Sequence, residues 1–451
     1  MHTSPTYRNA CAQQAVVASA LLMAWLAAAP WAAPLADTPS ARAFPASVSG
    51  PAALVPADDL VARILSARPQ AGALASNLQA EIERSSAVRS GPYEWSVGLG
   101  LGRRQSRGIT GARSQDASIA IERPVRMWGK EEADRQLAAA GEERAQREAA
   151  LGYRDLKALF IQHWAEYLRS LALEEGARRN LESARQLLRQ AEVRHKVGEI
   201  AQVDVQLARA EFLQAQAQGT DAQALQSAAA SRVKALYPLL PLPEQLPGTL
   251  SGWQEALAGR IAAIPAQAQA ADLLFAQRNP SVLVNQSRTE EQRRLAQRLD
   301  LDRRPDPTLG GYLLNEASGG QSVIGVHLSL PITGNFRAAS ARAAEHVAAS
   351  TRLVGEESTA QLRAELGARW AAWKLRQSLL AQRWQAADLH REAALRSLRA
   401  FALGERSVAE LVQLQRIADE QYTLALTQSV ELLTLQLGLA MDLGLIWDPG
   451  S

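Results

Sequence analysis

The sequence predicts a mainly α protein with a small transmembrane β part, built as an internal duplication. Three observations carry this. Two very long runs, Lys130 to Val197 and Arg337 to Leu403, contain no proline, and at about 1.5 Å per residue each extends about 100 Å as a helix. Four short segments alternate apolar with small or polar residues at period two, the pattern of strands with two unlike faces. Landmarks recur in order, Arg68-Pro69 as Asn279-Pro280, Pro124 as Pro331 and Gly198 as Gly404, at separations of 211, 207 and 206 residues. Such regular recurrence marks a repeat.

The 451 residues are 47% hydrophobic and 21% charged, a globular balance that excludes wholesale disorder and a polytopic helical membrane protein. No run of 18 uninterrupted apolar residues follows the N-terminus. Lys plus Arg number 49 against 46 Asp plus Glu, and this even mixture argues against a nucleic-acid partner. Aromatic residues make up only 5%. That is thin for a compact core of this size but suits long helices packed through Ala and Leu.

Residues 1–36 read as a signal peptide, with Arg8 before an apolar stretch from Ala15 to Ala29 and small residues for cleavage at Ala29, Ala33 or Ala36. The only cysteine, Cys11, precedes that stretch, so no disulfide or cysteine metal site is expected in the mature chain. Residues 37–56, rich in Ala, Pro and Ser, read as a flexible N-terminus. A first structural repeat follows over 57–247, with strands near 93–104 and 115–123 and a helical hairpin over 130–236. The second repeat, 248–451, carries strands near 307–315 and 322–330 and a hairpin over 337–443. A proline-rich connector from Pro238 to Pro247 joins them.

In the first strand Trp95, Val97, Leu99 and Leu101 alternate with Ser96, Gly98 and Gly100; in the fourth Ile324, Val326 and Leu328 alternate with Gly325, His327 and Ser329. Ala117, Ile119 and Ile121 repeat the apolar face in the second, while Leu313 and Leu314 break it in the third. The Gly-, Ser- and charge-rich segments Arg103 to Ser114 and Glu316 to Gln321 read as exposed turns. Phe160, Trp164, Tyr167 and Leu171, then Leu362, Leu366, Trp370 and Trp373, lie at helical spacing and read as coiled-coil packing. The hairpins bend at Gly198 and Gly404, and the returning helices carry Leu207 and Phe212, then Leu411, Leu414 and Leu435.

Strands of this length suit a bilayer, where open backbone edges cost several kcal/mol per unpaired group. Four strands must therefore close with strands from other copies, and the even strand numbers of such barrels allow dimers or trimers.

The segments Val197 to Ala210 and Phe401 to Leu411 resemble the two periplasmic tip motifs of the TolC family of outer-membrane efflux proteins. The resemblance spans nearly the whole mature chain, including the duplication and the proline that closes the second strand of each pair. It implies a TolC-like α-helical tunnel below a trimeric twelve-stranded outer-membrane β-barrel, four strands from each chain. It also implies an exit duct reaching into the periplasm, with no enzymatic activity and no cofactor. The partners implied are a periplasmic adaptor, an inner-membrane pump of the RND type and outer-membrane lipid. Glu122 to Lys130, with Gly91 to Trp95, is similar to the CzcC-like outer factors, which implies heavy-metal cations as cargo.

Residue by residue, the family places adaptor contact on Val197, Gly198, Glu199, Leu403, Gly404 and Glu405. It places a gate on Asp204, Phe401, Arg406, Glu410 and Gln413. Asp204 matches an acid that holds neighbouring hairpins closed, and Arg406 its arginine partner. Phe401 stands where the family's best-known member has a tyrosine, which removes one hydrogen bond of the closing network; Glu410 matches the first of two tunnel-ringing aspartates and Gln413 replaces the second, so a looser, less acidic gate is expected.

Gly98 to Gly102 has no helix behind it and sits inside an alternating strand, so it reads as small strand residues and not as a phosphate loop. His163, His195, His327, His346 and His390 lack metal-ligand spacing. A multidrug or type I secretion duct is the alternative within the same architecture. A periplasmic coiled-coil structural or adaptor protein is the alternative outside it, and would need one hairpin and no lipid-facing strands.

Overall fold

The computed structural model describes residues 54–105, 113–258, 264–332 and 334–447; the signal peptide and most of the N-terminal segment expected to be flexible lie outside these. Helix α1 (Asp58–Ser66) leads into α2 (Pro69–Ser90), then β1 (Ser96–Gln105), β2 (Arg113–Pro124), α3 (Lys130–Lys196) and α4 (Gln202–Leu236). After α5 (Leu250–Ala258), the pattern repeats as α6 (Ala268–Arg278), α7 (Pro280–Leu301), β3 (Thr308–Glu316), β4 (Gln321–Ser329), α8 (Asn335–Ala402) and α9 (Val408–Asp442).

The duplication is metrical. Helices α2 and α7 each have 22 residues and start on a proline, whose missing N–H costs nothing at a first turn. Helices α3 and α8 have 67 and 68 residues, and α4 and α9 have 35 each.

The sheet is antiparallel in the order β1-β2-β3-β4. Beside it α2, α3, α7 and α8 pack in that same order, each continuous in sequence with the matching strand; farther along, α4, α3, α9 and α8 form the wall. Helices α3 and α8 thus run the full length. Both sheet and helical wall are left open on the same two sides, β1 with α2 and α4 on one and β4 with α8 on the other.

The strand ladders run slightly past the expected ends: Gln105 pairs with Arg113, and Glu316 pairs with Gln321. The turns between them are correspondingly shorter. At its start β1 begins later than expected, because Gly91 takes a positive φ and the Tyr93 hydroxyl is held by Asp306 at 2.8 Å, carrying residues 91–95 across the joint instead of into the ladder.

The aromatic stripes are buried, but not as a coiled-coil seam. The Trp164 indole donates to the Leu54 carbonyl (2.9 Å), Tyr167 to Pro243 (2.7 Å) and Trp370 to Pro265 (3.2 Å). Trp164 and Tyr167 lie beneath a strap made by the chain entry and the connector between repeats, and Trp370 beneath the segment that enters α6. These rings fill the gap between a helix and an irregular segment, whereas the approach of α3 to α9 at Gly176 is too close for a Cβ, which would collide with Thr423. Leu54 to Pro56, expected to be flexible, are part of this strap, and Pro56 accepts from the Trp447 indole at 3.3 Å. Across the same core, buried Asp442 receives Arg154 at 2.6 Å and Arg369 at 2.8 Å, tying α9 to α3 and α8.

Between α3 and α9 lies a less settled carboxylate. Burial pushes Asp419 up to about 6, only partly opposed by Ser183 and Arg179, and its Oδ2 is buried without a hydrogen bond. An acid whose pKa is raised in the folded state binds its proton more tightly there than when unfolded. This group's contribution therefore favours the fold at low pH and is lost as pH rises from about 4 to about 6, on the order of 3 kcal/mol in all. Asp419→Asn should raise the unfolding midpoint at pH 7.5, leave it nearly unchanged at pH 4, and flatten the pH profile between. A variant curve parallel to the wild type across this range would refute the assignment.

Candidate functional site

Both hairpins turn through the same backbone device. Gly198 and Gly404 take φ of 77° and 85°, which suits a residue without a Cβ. The Glu199 amide donates to Arg194 O and the Glu405 amide to Ala400 O, each at 2.9 Å, the six-to-one closure of a Schellman turn. Val197, Glu199, Leu403 and Glu405 are consequently exposed at the tip. Each returning helix then places an acid in its first turn, Asp204 and Glu410 at equivalent positions of the two repeats. There a carboxylate favours the helix N-terminus. The Glu410 amide donates to Ser407 Oγ at 3.3 Å, half of a capping box, so Glu410 has a local structural reason to be there.

The five expected gate residues are not one cluster within a protomer. Arg406 lies 3.7 Å from Glu410 on its own hairpin, and no ion pair joins it to Asp204 within the chain. Glu410 and Gln413 are exposed and Asp204 is half-buried. Phe401 departs from the expectation of a residue facing the gate: it is fully buried with Leu187, Ala191, Ala208, Val408 and Leu411 in a small apolar core that joins the two tips. The missing phenol hydroxyl is thus answered by packing.

Sequence reasoning missed the residue that holds the tips together. Arg194 donates to Glu199 at 2.8 Å and to the Phe401 carbonyl at 2.6 Å, and its guanidinium lies 4.6 Å from the Phe401 ring centroid. One side chain thereby spans both turns. In sequence it looks like any basic residue in the last turn of a helix.

At the other end the sheet has two unlike faces. Rows Val97-Ile121-Gly311-Val326 and Leu99-Ile119-Leu313-Ile324 cross all four strands on one face. Among the described residues nothing covers it: Leu101 is 91%, Ile324 83% and Val326 84% exposed. The opposite face carries Ser96-Glu122-Gly310-His327 and Gly98-Ala120-Tyr312-Gly325. Glu122 meets His327 at 3.2 Å across Gly310 and accepts from its direct neighbour Ser96 at 3.3 Å. Among the described residues, no three of His, Cys, Asp and Glu gather as a metal site.

The segments that suggested a metal-cation branch build the joint between sheet and helices. Lys130, 1% exposed, reaches Arg304 O at 2.7 Å, Asp306 at 3.0 Å and Asp302 at 3.2 Å. Arg126 stacks on Tyr93 at 4.5 Å and lies 3.4 Å from Asp134.

No known family model matches the chain, and no curated protein does. Solved structures do. The outer-membrane channel OprN shares 19% identity with a TM-score of 0.66 over 87% of this chain and 90% of its own. The outer membrane protein VceC from Vibrio cholerae shares 18% at 0.64, over 86% and 95%. CusC, described for transmembrane channel formation, shares 13% at 0.66, over 88% and 98%. The fold is that of these channels. At such identities the likeness is one of architecture.

The tip geometry separates two arginines. Arg194→Ala should uncouple the tips within a protomer and increase protease cutting at residues 197–201 and 403–407 several-fold, whereas Arg406→Ala should leave that cutting near the wild-type rate. Limited proteolysis with mass mapping reads both, and equal cutting in the two variants would contradict the assignment.

Proposed function

We propose that the chain is an outer-membrane exit duct of a tripartite efflux system. Three copies join edge to edge into a twelve-stranded barrel on a twelve-helix periplasmic tube. The observation that carries this is the pair of open edges: strands and helices end on the same two sides in the same order, so adding a copy extends both layers at once. The uncovered apolar face then meets hydrocarbon, and strand closure satisfies backbone groups that lipid cannot. The polar face lines a passage continuous with the helical tube. Likeness to outer-membrane channels supports the same reading.

In this assembly Val197, Gly198, Glu199, Leu403, Gly404 and Glu405 form the rim that meets a periplasmic adaptor, which connects the duct to an inner-membrane pump of the RND type. Asp204 of one hairpin faces Arg406 of a neighbour and biases the tube toward closure. Conduction is passive. Heavy-metal cations are the proposed cargo, supported by the sequence pattern at residues 91–95 and 122–130. Since those residues build a joint and not a ligand set, selection belongs to the pump.

Membrane fractionation tests the assembly: a heat-modifiable trimer in the outer membrane is expected, and full release by a salt wash would overturn the reading. Within the barrel, Val326→Arg should cost about 2–4 kcal/mol near the midplane. A lumen-facing change should mainly alter conductance; Ser329→Arg is the better choice there, because a side chain at Gly325 would run into the Tyr312 ring. Equal damage at both sites would reverse the face assignment.

For the cargo, a deletion strain should become sensitive to zinc, cadmium, cobalt, nickel or copper. Sensitivity confined to dyes and antibiotics would point instead to a multidrug duct.

A further inference from the structure

One residue on the apolar face of the sheet does not fit its surroundings. The outward positions of β2 run Ala117, Ile119, Ile121 and then Arg123, and exposed apolar side chains resume beyond it at Val125 and Met127. Arg123 is exposed, and among the described residues no carboxylate lies within ion-pairing distance. Its Nε donates to Tyr93 O at 2.9 Å, and its guanidinium lies 5.4 Å from the Trp95 ring centroid. The η nitrogens have no hydrogen-bonding partner in the described chain. The neighbouring Glu122 is on the opposite face, taken up by His327 and Ser96. A second copy cannot supply the missing anion readily, because β2 is flanked on both sides by strands of its own chain.

If the apolar face meets hydrocarbon, as the proposed function holds, this cation needs an acceptor that the protein does not provide. Phosphate oxygens of the lipid are the anions within reach, since Arg123 stands one residue from the end of β2 and a long side chain can extend to the headgroup level. The planar fork of a guanidinium matches phosphate, and an indole is at home at the same level. In the segment between α7 and β3, Arg304 lies 6.0 Å from the Trp128 ring centroid, again with no carboxylate partner among the described residues. We propose that Arg123, steadied by Trp95, binds the phosphate of an anionic phospholipid on the outer wall of the barrel, at its periplasmic margin.

Native mass spectrometry of the full-length protein in detergent, incubated with equal amounts of phosphatidylglycerol and phosphatidylcholine, tests this. The wild type should retain phosphatidylglycerol at least about fivefold over phosphatidylcholine; Arg123→Gln should abolish the preference and Arg123→Lys keep part of it. Heat-modifiable mobility checks that each variant is folded. Should Arg123→Gln fail to fold, Trp95→Leu keeps the guanidinium and should still lower the preference at least about twofold. Equal retention of both lipids by the wild type, an unchanged preference in the folded variants, or displacement of the lipid by millimolar inorganic phosphate would overturn the proposal. A wild-type chain that never enters the outer membrane would instead refute the duct itself.

Discussion

The buried ammonium of Lys130 holds the one joint on which the rest of the molecule depends. It stands at the first position of α3, where a positive charge opposes the helix dipole. Its position makes sense only through its partners, Asp302, Asp306 and the Arg304 carbonyl, which belong to the descent from α7 into β3. A lysine of the first repeat is thereby enclosed by acids of the second. Buried ion pairs are often weak contributors to stability because desolvation offsets their attraction, while loss of one partner is costly. The role of this one is positional: it fixes where the long helix leaves the sheet, and a small angular error there would grow along about 100 Å of helix.

Much of the architecture was legible because it rests on short-range rules. Alternation exposed the strands, the lack of proline exposed α3 and α8, and paired glycines marked the turns. The strap was not legible. Phe160, Trp164 and Tyr167 at helical spacing announce a buried face, but spacing names no partner, and a neighbouring helix and an irregular segment leave the same trace. The tips divide in the same way. Gly198 and Gly404 could be read from the repeat, whereas the reach of Arg194 to Phe401 depends on two distant turns arriving at one level.

Composition can also mislead about surroundings. Helix α9 is apolar and long enough to pass for a membrane span, yet much of it is buried against other helices. The strands over residues 96–105 and 321–329 have the opposite character: most of their residues are small or polar, and their apolar side chains are left bare. Hydrophobicity averaged along a segment reports how much is buried; only its direction reports against what.

The matched lengths of the two repeats act as a gauge. Helices α3 and α8 differ by a single residue, and α4 and α9 are equal. Arg194 joins turns that arrive together only because these lengths agree. A turn of helix inserted into one descending segment would have to be matched in its returning partner, and then again in the other repeat, before the tips could meet. Reach therefore cannot drift residue by residue. It changes only in coordinated steps across four separate stretches of the gene, which gives the dimension along the wall an unusual resistance to gradual variation even where surface sequence is free to change.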